Sequence, residues 1–263
     1  MTPLSGRILI TGAAGGLGQA IASAAAPHAG SLVLSARRPD QIAEFASSLG
    51  AEVLCADMES RTDVENLVRS AGEVDVAILN AALPASGDLM EYEIDQIDRA
   101  IEVNLRAPAV MARLLAEGMA ARGTGHIVFI SSLAGKAASA GTAMYSATKF
   151  GLRGLSLALR ADLADTGVGV SVICPGFVSD AGMFADSGAH LGPGMNTVTP
   201  EKVAAATMRA IEKNQAQVDV APLALRLGAN FAQVAPAAYQ AASKRLGGGK
   251  LSEVMADQQR PKR

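Results

Sequence analysis

The stretch Arg7-Ile8-Leu9-Ile10-Thr11, followed by Gly12-Ala13-Ala14-Gly15-Gly16-Leu17-Gly18, decides how this chain folds. A short run rich in Ile and Leu reads as a buried strand. The glycines after it permit a tight turn and let backbone N–H groups approach an anion closely. A helical pattern begins near Gly16, so the partial positive charge of a helix amino end adds to the same place. Glycine clusters also make ordinary turns. Strand, glycine loop and helix in this order instead read as a cradle for the phosphates of a dinucleotide.

Outward from this unit the alternation repeats. Strands are expected at Arg7–Thr11, Ser31–Ala36, Glu52–Ala56, Val74–Asn80, His126–Ser131, Val168–Cys174 and Gln217–Ala221. Helices are expected near Gly16–His28, Pro39–Leu49, Arg61–Ala71, Ile94–Arg122, Ala143–Thr166 and Pro200–Lys213. Short strands rich in Val, Ile and Leu fit a sheet covered on both faces. The fold class is therefore α/β, a Rossmann-type, doubly wound, mostly parallel seven-stranded sheet with helices on both faces. One domain is expected over residues 1–246, including terminal helices at about 222–246. The triple glycine Gly247-Gly248-Gly249 then opens a flexible polar tail over 247–263. The segment Phe177–Thr199 breaks the rhythm and has the length of a lid. Its Met183, Phe184, Leu191 and Met195 suggest an apolar pocket wall, with His190 among them.

Composition narrows the classes. The chain has 263 residues, 49% hydrophobic and 18% charged, which supports a large core and argues against disorder. Its net charge of −2 offers no electrostatic support for nucleic-acid binding. Cys55 and Cys174 sit in apolar runs and read as two buried thiols. His28, His126 and His190 lack ligand-spaced partners, so no metal is expected. No charged-plus-apolar leader and no apolar run of membrane-spanning length are present, which makes a cytoplasmic location the expectation.

Chemistry is carried by Tyr145 and Lys149. Four residues apart in a stretch without helix breakers, they share one helix face. An ammonium beside a phenol eases removal of the phenol proton from its ordinary pKa of about 10. Ser132 stands at the end of an apolar strand. No glycine elbow surrounds it, so a hydrolase reading does not apply.

The pattern Thr11-Gly12-x-x-x-Gly16-x-Gly18, then Asn80, Asn104, Ser132, Tyr145 and Lys149 in order, and Pro175-Gly176 after the sixth strand, resembles the short-chain dehydrogenase/reductase family. The resemblance covers roughly residues 5 to 220. It implies hydride transfer between a nicotinamide and a carbonyl or alcohol. Tyr145 would be the acid-base group. Ser132, selected over Ser131 by its spacing to Tyr145, would bind the reacting oxygen. Lys149 would also hold the nicotinamide ribose, and Asn104 a relay water. Gly12, Ala14, Gly15, Gly16, Leu17 and Gly18 would cradle the pyrophosphate, with Asn80, Ala81 and Ala82 beside them. Asp57 and Met58 would flank adenine, and Pro175, Gly176 and Val178 the nicotinamide ring. Asn80-Ala81-Ala82-Leu83 departs from the family's Asn-Asn-Ala-Gly, which places a side chain at position 83 where backbone usually passes the cofactor.

The second strand ends Leu34-Ser35-Ala36-Arg37-Arg38. An acidic residue there would bind ribose hydroxyls and repel a 2′-phosphate. Two arginines suit a phosphate dianion instead. NADP(H) is therefore expected, with Arg37 the main contact and Arg38 and Ser35 assisting. The function expected is an NADP(H)-dependent carbonyl reductase or alcohol dehydrogenase acting on a lipophilic small molecule. The alternatives are a dinucleotide-sensing regulator without catalysis and a 3-oxoacyl thioester reductase. Against the latter, Val218-Asp219-Val220-Ala221-Pro222 replaces the Val-Asp-Gly-Gly that ends such chains. Leu223, Leu225, Leu227, Phe231, Val234, Tyr239 and Leu246 are candidate buried residues of the terminal helices. These helices could cover the pocket, join a neighbouring subunit or, least favoured, lie on a membrane. The long fourth and fifth helices resemble those through which the family forms homodimers and homotetramers.

Overall fold

The computed structural model describes residues 3–180, 182–188, 196–245 and 248–260. Seven strands, β1 (Arg7–Thr11), β2 (Ser31–Ala36), β3 (Glu52–Cys55), β4 (Val76–Leu79), β5 (Gly125–Ile130), β6 (Val168–Pro175) and β7 (Gln217–Val220), form one sheet. Their order is β3-β2-β1-β4-β5-β6-β7, and each adjacent pair runs parallel. The order reverses between β1 and β4. In open α/β sheets that reversal leaves a crevice at the strands' carboxyl ends.

Alternate residues of each strand feed two core layers. Leu9, Ala77, Phe129 and Val170 meet α3 (Arg61–Ala71), α5 (Ala107–Arg122) and α6 (Ala143–Asp162) through Leu67, Met111, Met119 and Leu152. Ile8, Ile10, Ile78 and Val128 meet α1 (Gly16–Ala25), α2 (Ala43–Ser48) and α7 (Pro200–Glu212) through Ile21, Ala46, Val203 and Ile211. Apart from Arg7, the central strands β1, β4 and β5 are buried throughout, as a sheet covered on both faces requires. The edge strands β3 and β7 are not. Cys55, expected to be buried, is exposed because it closes the edge strand β3, whereas Cys174 in β6 is buried.

Two expectations need correction. The helix expected over Ile94–Arg122 is divided into α4 (Ile94–Ile101), a π-helical turn at Glu102–Arg106, and α5. Pro108 has no N–H to offer the Asn104 carbonyl in an α pattern, so the ladder widens there. The polar tail is also helical. After α8 (Leu223–Val234) and α9 (Pro236–Arg245), the chain forms α10 (Gly248–Gln259), which buries Ala256 and Gln259. Of the apolar residues expected to be buried in the terminal helices, Leu223, Leu227, Phe231 and Val234 are exposed, at 65%, 60%, 50% and 85%. Leu246 lies outside the described residues. No described helix is long and apolar enough to cross a membrane.

His126 lies in the core at 2% exposure. Its Nε2 is 2.8 Å from Ser171 Oγ, whose own proton goes to the Gln215 carbonyl at 2.6 Å, so Nε2 carries the hydrogen and donates. Burial, with a smaller contribution from Arg160, depresses its pKa to about 4. The unfolded imidazole, at about 6.5, binds a proton that the folded one refuses. Stability from this group is therefore complete above pH 6.5 and is lost as pH falls toward 4, by on the order of 3 kcal/mol. Denaturant titrations from pH 7.5 to 4 should show this decline, and His126→Asn should flatten it.

Candidate active site

The crevice at the β1/β4 reversal is a cleft of about 840 Å³. On its cofactor side, Gly12 has φ 69°, and a Cβ added there would come within 2.7 Å of Ala81 Cα. A Cβ on Gly18 would fall 2.3 Å from the Gly12 carbonyl oxygen. Both positions therefore require glycine. The Thr11 hydroxyl oxygen accepts from the Asn80 and Ala81 N–H groups at 3.0 and 3.1 Å. Asn80 Nδ2 donates to the carbonyls of Thr11 and Gly12 at 3.1 and 3.2 Å. These bonds lace the loops after β1 and β4 together. Side chains cap the amino ends of α3 (Ser60) and α7 (Thr199), whereas none caps α1. Its first residues, Gly16 and Leu17, border the cleft together with Ala14 and Gly15.

At the β2 end, Ser35 is fully buried and its hydroxyl has no protein partner. Arg37 borders the cleft, while Arg38 is exposed and does not border it. Asp57 and Met58 also border it. The Asp57 carboxylate accepts from the Glu59 N–H at 3.0 Å, a turn contact. Two positions that only glycine fits, an uncapped helix end, an orphan hydroxyl and one guanidinium suit a dinucleotide.

The opposite wall is built on Lys149. It is 3% exposed, and its Nζ donates to the Ile130 carbonyl at 3.0 Å. The Ser131 hydroxyl donates to the Lys149 carbonyl at 2.9 Å. Gly135, in the turn after Ser132, lies so close that a Cβ would sit 2.6 Å from that carbonyl oxygen. Together these contacts fix α6 to the end of β5. Tyr145, one turn earlier, then stands beside Ser132, whose hydroxyl donates to the Pro175 carbonyl at 3.5 Å. The Ser132 oxygen also accepts from the Ala134 N–H at 3.1 Å. Lys149 Nζ stands 5.7 Å from the Tyr145 ring centroid.

Electrostatics correct one expectation. Burial raises the Tyr145 pKa, opposed by the neighbouring Ser132 hydroxyl, so the phenol is not made acidic by its neighbours within the protein. Burial likewise lowers the Lys149 ammonium to about 8. Each group resists charge because water is excluded, and Lys149 bonds a backbone carbonyl instead of the phenol.

Asn104 lies on the π-helical turn at 1% exposure. Its Oδ1 accepts from the Leu83 N–H at 2.6 Å and its Nδ2 donates to the Leu83 carbonyl at 3.0 Å. The side chain thus clamps the residue that departs from the family pattern. Leu83 itself borders the cleft.

Ala82, Pro175, Gly176 and Val178 border the cleft as expected. Of the lid candidates, Met183 and Phe184 do as well, and the Phe184 ring packs on Phe177 with centroids 5.0 Å apart. His190, Leu191 and Met195 lie outside the described residues. A bridge between Val178 and Val198 ties the two ends of the lid segment. Leu225 and Tyr239 border the cleft, in line with one of the three placements open to the terminal helices. Sequence reasoning missed Met255, Gln258 and Gln259 of α10, hidden in a stretch whose composition reads as tail. It also missed Lys136, buried in an ion pair with Asp219 of β7 and donating to Asn230 of α8 at 2.6 Å.

The family model for short chain dehydrogenases matches residues 7–192. The ketoacyl reductase HetN of Nostoc sp. is 36% identical over 230 residues, spanning 84% of this chain and 80% of that protein. A short-chain dehydrogenase from Streptomyces avermitilis superposes with a TM-score of 0.78 at 26% identity, covering 93% of this chain and 98% of that one. A variant of actinorhodin polyketide ketoreductase, solved with NADPH, gives 0.75 at 27% identity over 84% and 97% of the two chains.

The Cys174 thiol, close to Lys149, is pushed up to about 12, chiefly by burial and then by Asp219. Thiolate is the reactive form. Iodoacetamide at pH 8 should therefore add one label, on Cys55, as read by peptide mass. Two labels on the folded protein would contradict the packing of β6.

Proposed function

Because the chain belongs to the short chain dehydrogenase family, and is thus an oxidoreductase of that family, we propose that it interconverts a lipophilic ketone or aldehyde and its alcohol with NADP(H). The observation that carries this reading is the convergence of Ser132, Tyr145 and buried Lys149 on one wall of an apolar cleft. A nicotinamide dinucleotide, when bound, supplies or takes up the hydride.

The residues of the chain supply the rest. The Ser132 hydroxyl hydrogen-bonds the substrate oxygen and fixes its place. The Tyr145 hydroxyl gives that oxygen its proton during reduction and takes it back during oxidation. The pKa of Tyr145 is raised in the protein, which favours the protonated donor and so suits reduction. Lys149 offsets the charge of the phenolate left behind. Gly12 and Gly18 hold the backbone against the pyrophosphate. Arg37 and Ser35 meet the 2′-phosphate, with Arg38, next to Arg37, as a second cation.

The charged residues bordering the cleft are Arg37, Asp57, Glu59 and Lys149. The first three follow β2 and β3, at the adenosine end. Apart from Lys149, the described substrate end therefore carries no fixed charge, which favours a neutral, apolar substrate over an amino acid or other carboxylate. The names of HetN and actinorhodin ketoreductase favour a second reading within this class, a ketone on an acyl chain. We also propose assembly as a homodimer or homotetramer through α5 and α6. Leu114 and Phe150 there are exposed at 38% and 40%, and Gly154 leaves room for a neighbour.

NADPH oxidation against a panel of ketones, aldehydes and 3-oxoacyl thioesters tests the activity, and a silent panel would favour a dinucleotide sensor. Tyr145→Phe should cut kcat by about 10²–10⁴-fold with NADPH affinity retained. Near wild-type turnover would refute its acid-base role. Arg37→Glu should weaken NADPH binding at least ~10-fold while leaving NADH nearly unchanged. Equal losses for both would remove the NADP assignment.

A further inference from the structure

One buried side chain of the cleft takes no part in the chemistry above. Gln259, the last residue of α10, is 4% exposed and borders the cleft. Its Oε1 accepts from the Ser86 N–H at 3.4 Å, and its Nε2 donates to the Met183 carbonyl at 3.3 Å. Ser86 belongs to the loop after β4, and Met183 to the segment after β6. The carboxamide therefore bridges opposite walls of the cleft, using its acceptor on one and its donor on the other. Next to Ser86, the Ala85 carbonyl accepts from the Tyr145 N–H at 3.1 Å, so the bridged loop also touches the catalytic helix. Outside the cleft, Arg260 pairs with Glu91 at 2.7 Å and seats the end of α10 against the β4–α4 connection. Met255 of the same helix lies over the cleft.

We propose that Gln259 is a specificity-determining latch: it holds α10 down as the roof of the substrate end, so that long apolar chains gain a wall that short ketones do not reach. The proposal rests on the reductase reading of this site. A lost latch leaves Ser132, Tyr145 and Lys149 in place, so the effect falls on the binding of long substrates and not on chemistry. Only an amide fills both roles. Leucine makes neither bond, and glutamate at neutral pH accepts from Ser86 but cannot donate to Met183.

The test uses the full chain with NADPH, comparing wild type, Gln259→Leu and Gln259→Glu. Steady-state rates are measured for 2-butanone and 2-dodecanone, and amide hydrogen exchange is read at Ser86 and across residues 182–188. Gln259→Leu should raise KM for 2-dodecanone by about 10-fold, the loss of two hydrogen bonds, with kcat and the 2-butanone KM unchanged. Exchange should accelerate at both places. In Gln259→Glu the Ser86 amide should stay protected while residues 182–188 exchange faster. Unchanged exchange at Ser86 in Gln259→Leu would overturn the latch, and so would equal KM changes for the two ketones. If the wild type reduced neither ketone, that would count against the reductase reading, and the exchange comparison would still judge the latch separately.

Discussion

A buried ammonium at the end of β5 sets where everything else in the cleft stands. Lys149 is held by the Ile130 carbonyl, and its own carbonyl is held by Ser131 and pressed against Gly135. Those contacts allow α6 one position relative to the sheet. Because Tyr145 is one helical turn earlier, its hydroxyl must then meet Ser132, which the same strand end carries. The arrangement has an electrostatic cost. Burial pushes the phenol up and the ammonium down to about 8, so the charged form of each is less favoured than in water. Charge can appear on Tyr145 only if Lys149, or a cation arriving with the cofactor, shares it.

Much of this was legible in the chain because it depends on local pattern. β1, β2 and α3 have the bounds expected from alternation of apolar and amphipathic runs. Gly12 and Gly18 were legible because only glycine tolerates their surroundings. The spacing of Ser132, Tyr145 and Lys149 read correctly as one wall because strand end and helix face are both periodic. Their protonation did not read correctly. Helix spacing reports that two groups are neighbours, but burial decides the sign of the shift, and burial is a property of the whole fold. Asn104 shows the same limit. Its helix was visible, but not that Pro108 would widen the turn and leave the side chain gripping Leu83.

The carboxyl-terminal third was hardest to read. Polar composition after a triple glycine resembles a tail, yet α10 borders the cleft at its carboxyl end and buries Gln259. Nothing local marks a glutamine whose partners lie 76 and 173 residues away. The ion pair of Lys136 with Asp219 was hidden for the same reason, and with Asn230 it seats α8 against the turn that carries Ser132. The terminal helices were expected to bury their large apolar side chains. Instead they split the work: Leu225 and Tyr239 face the cleft, while Leu223, Leu227 and Val234 face outward. A helix roofing a cleft has only one face to bury, and hydrophobicity alone does not say which.

The titration of Tyr145 tests the central claim most directly. With tyrosine labelled by ¹³C at Cζ, and Tyr145→Phe assigning the resonance among the chain's 3 tyrosines, the phenol can be followed by NMR as pH is raised. The account predicts an apparent pKa above 10 in the free protein that falls when NADP⁺ is added. A phenol already acidic in the free protein, or one unmoved by NADP⁺, would contradict it.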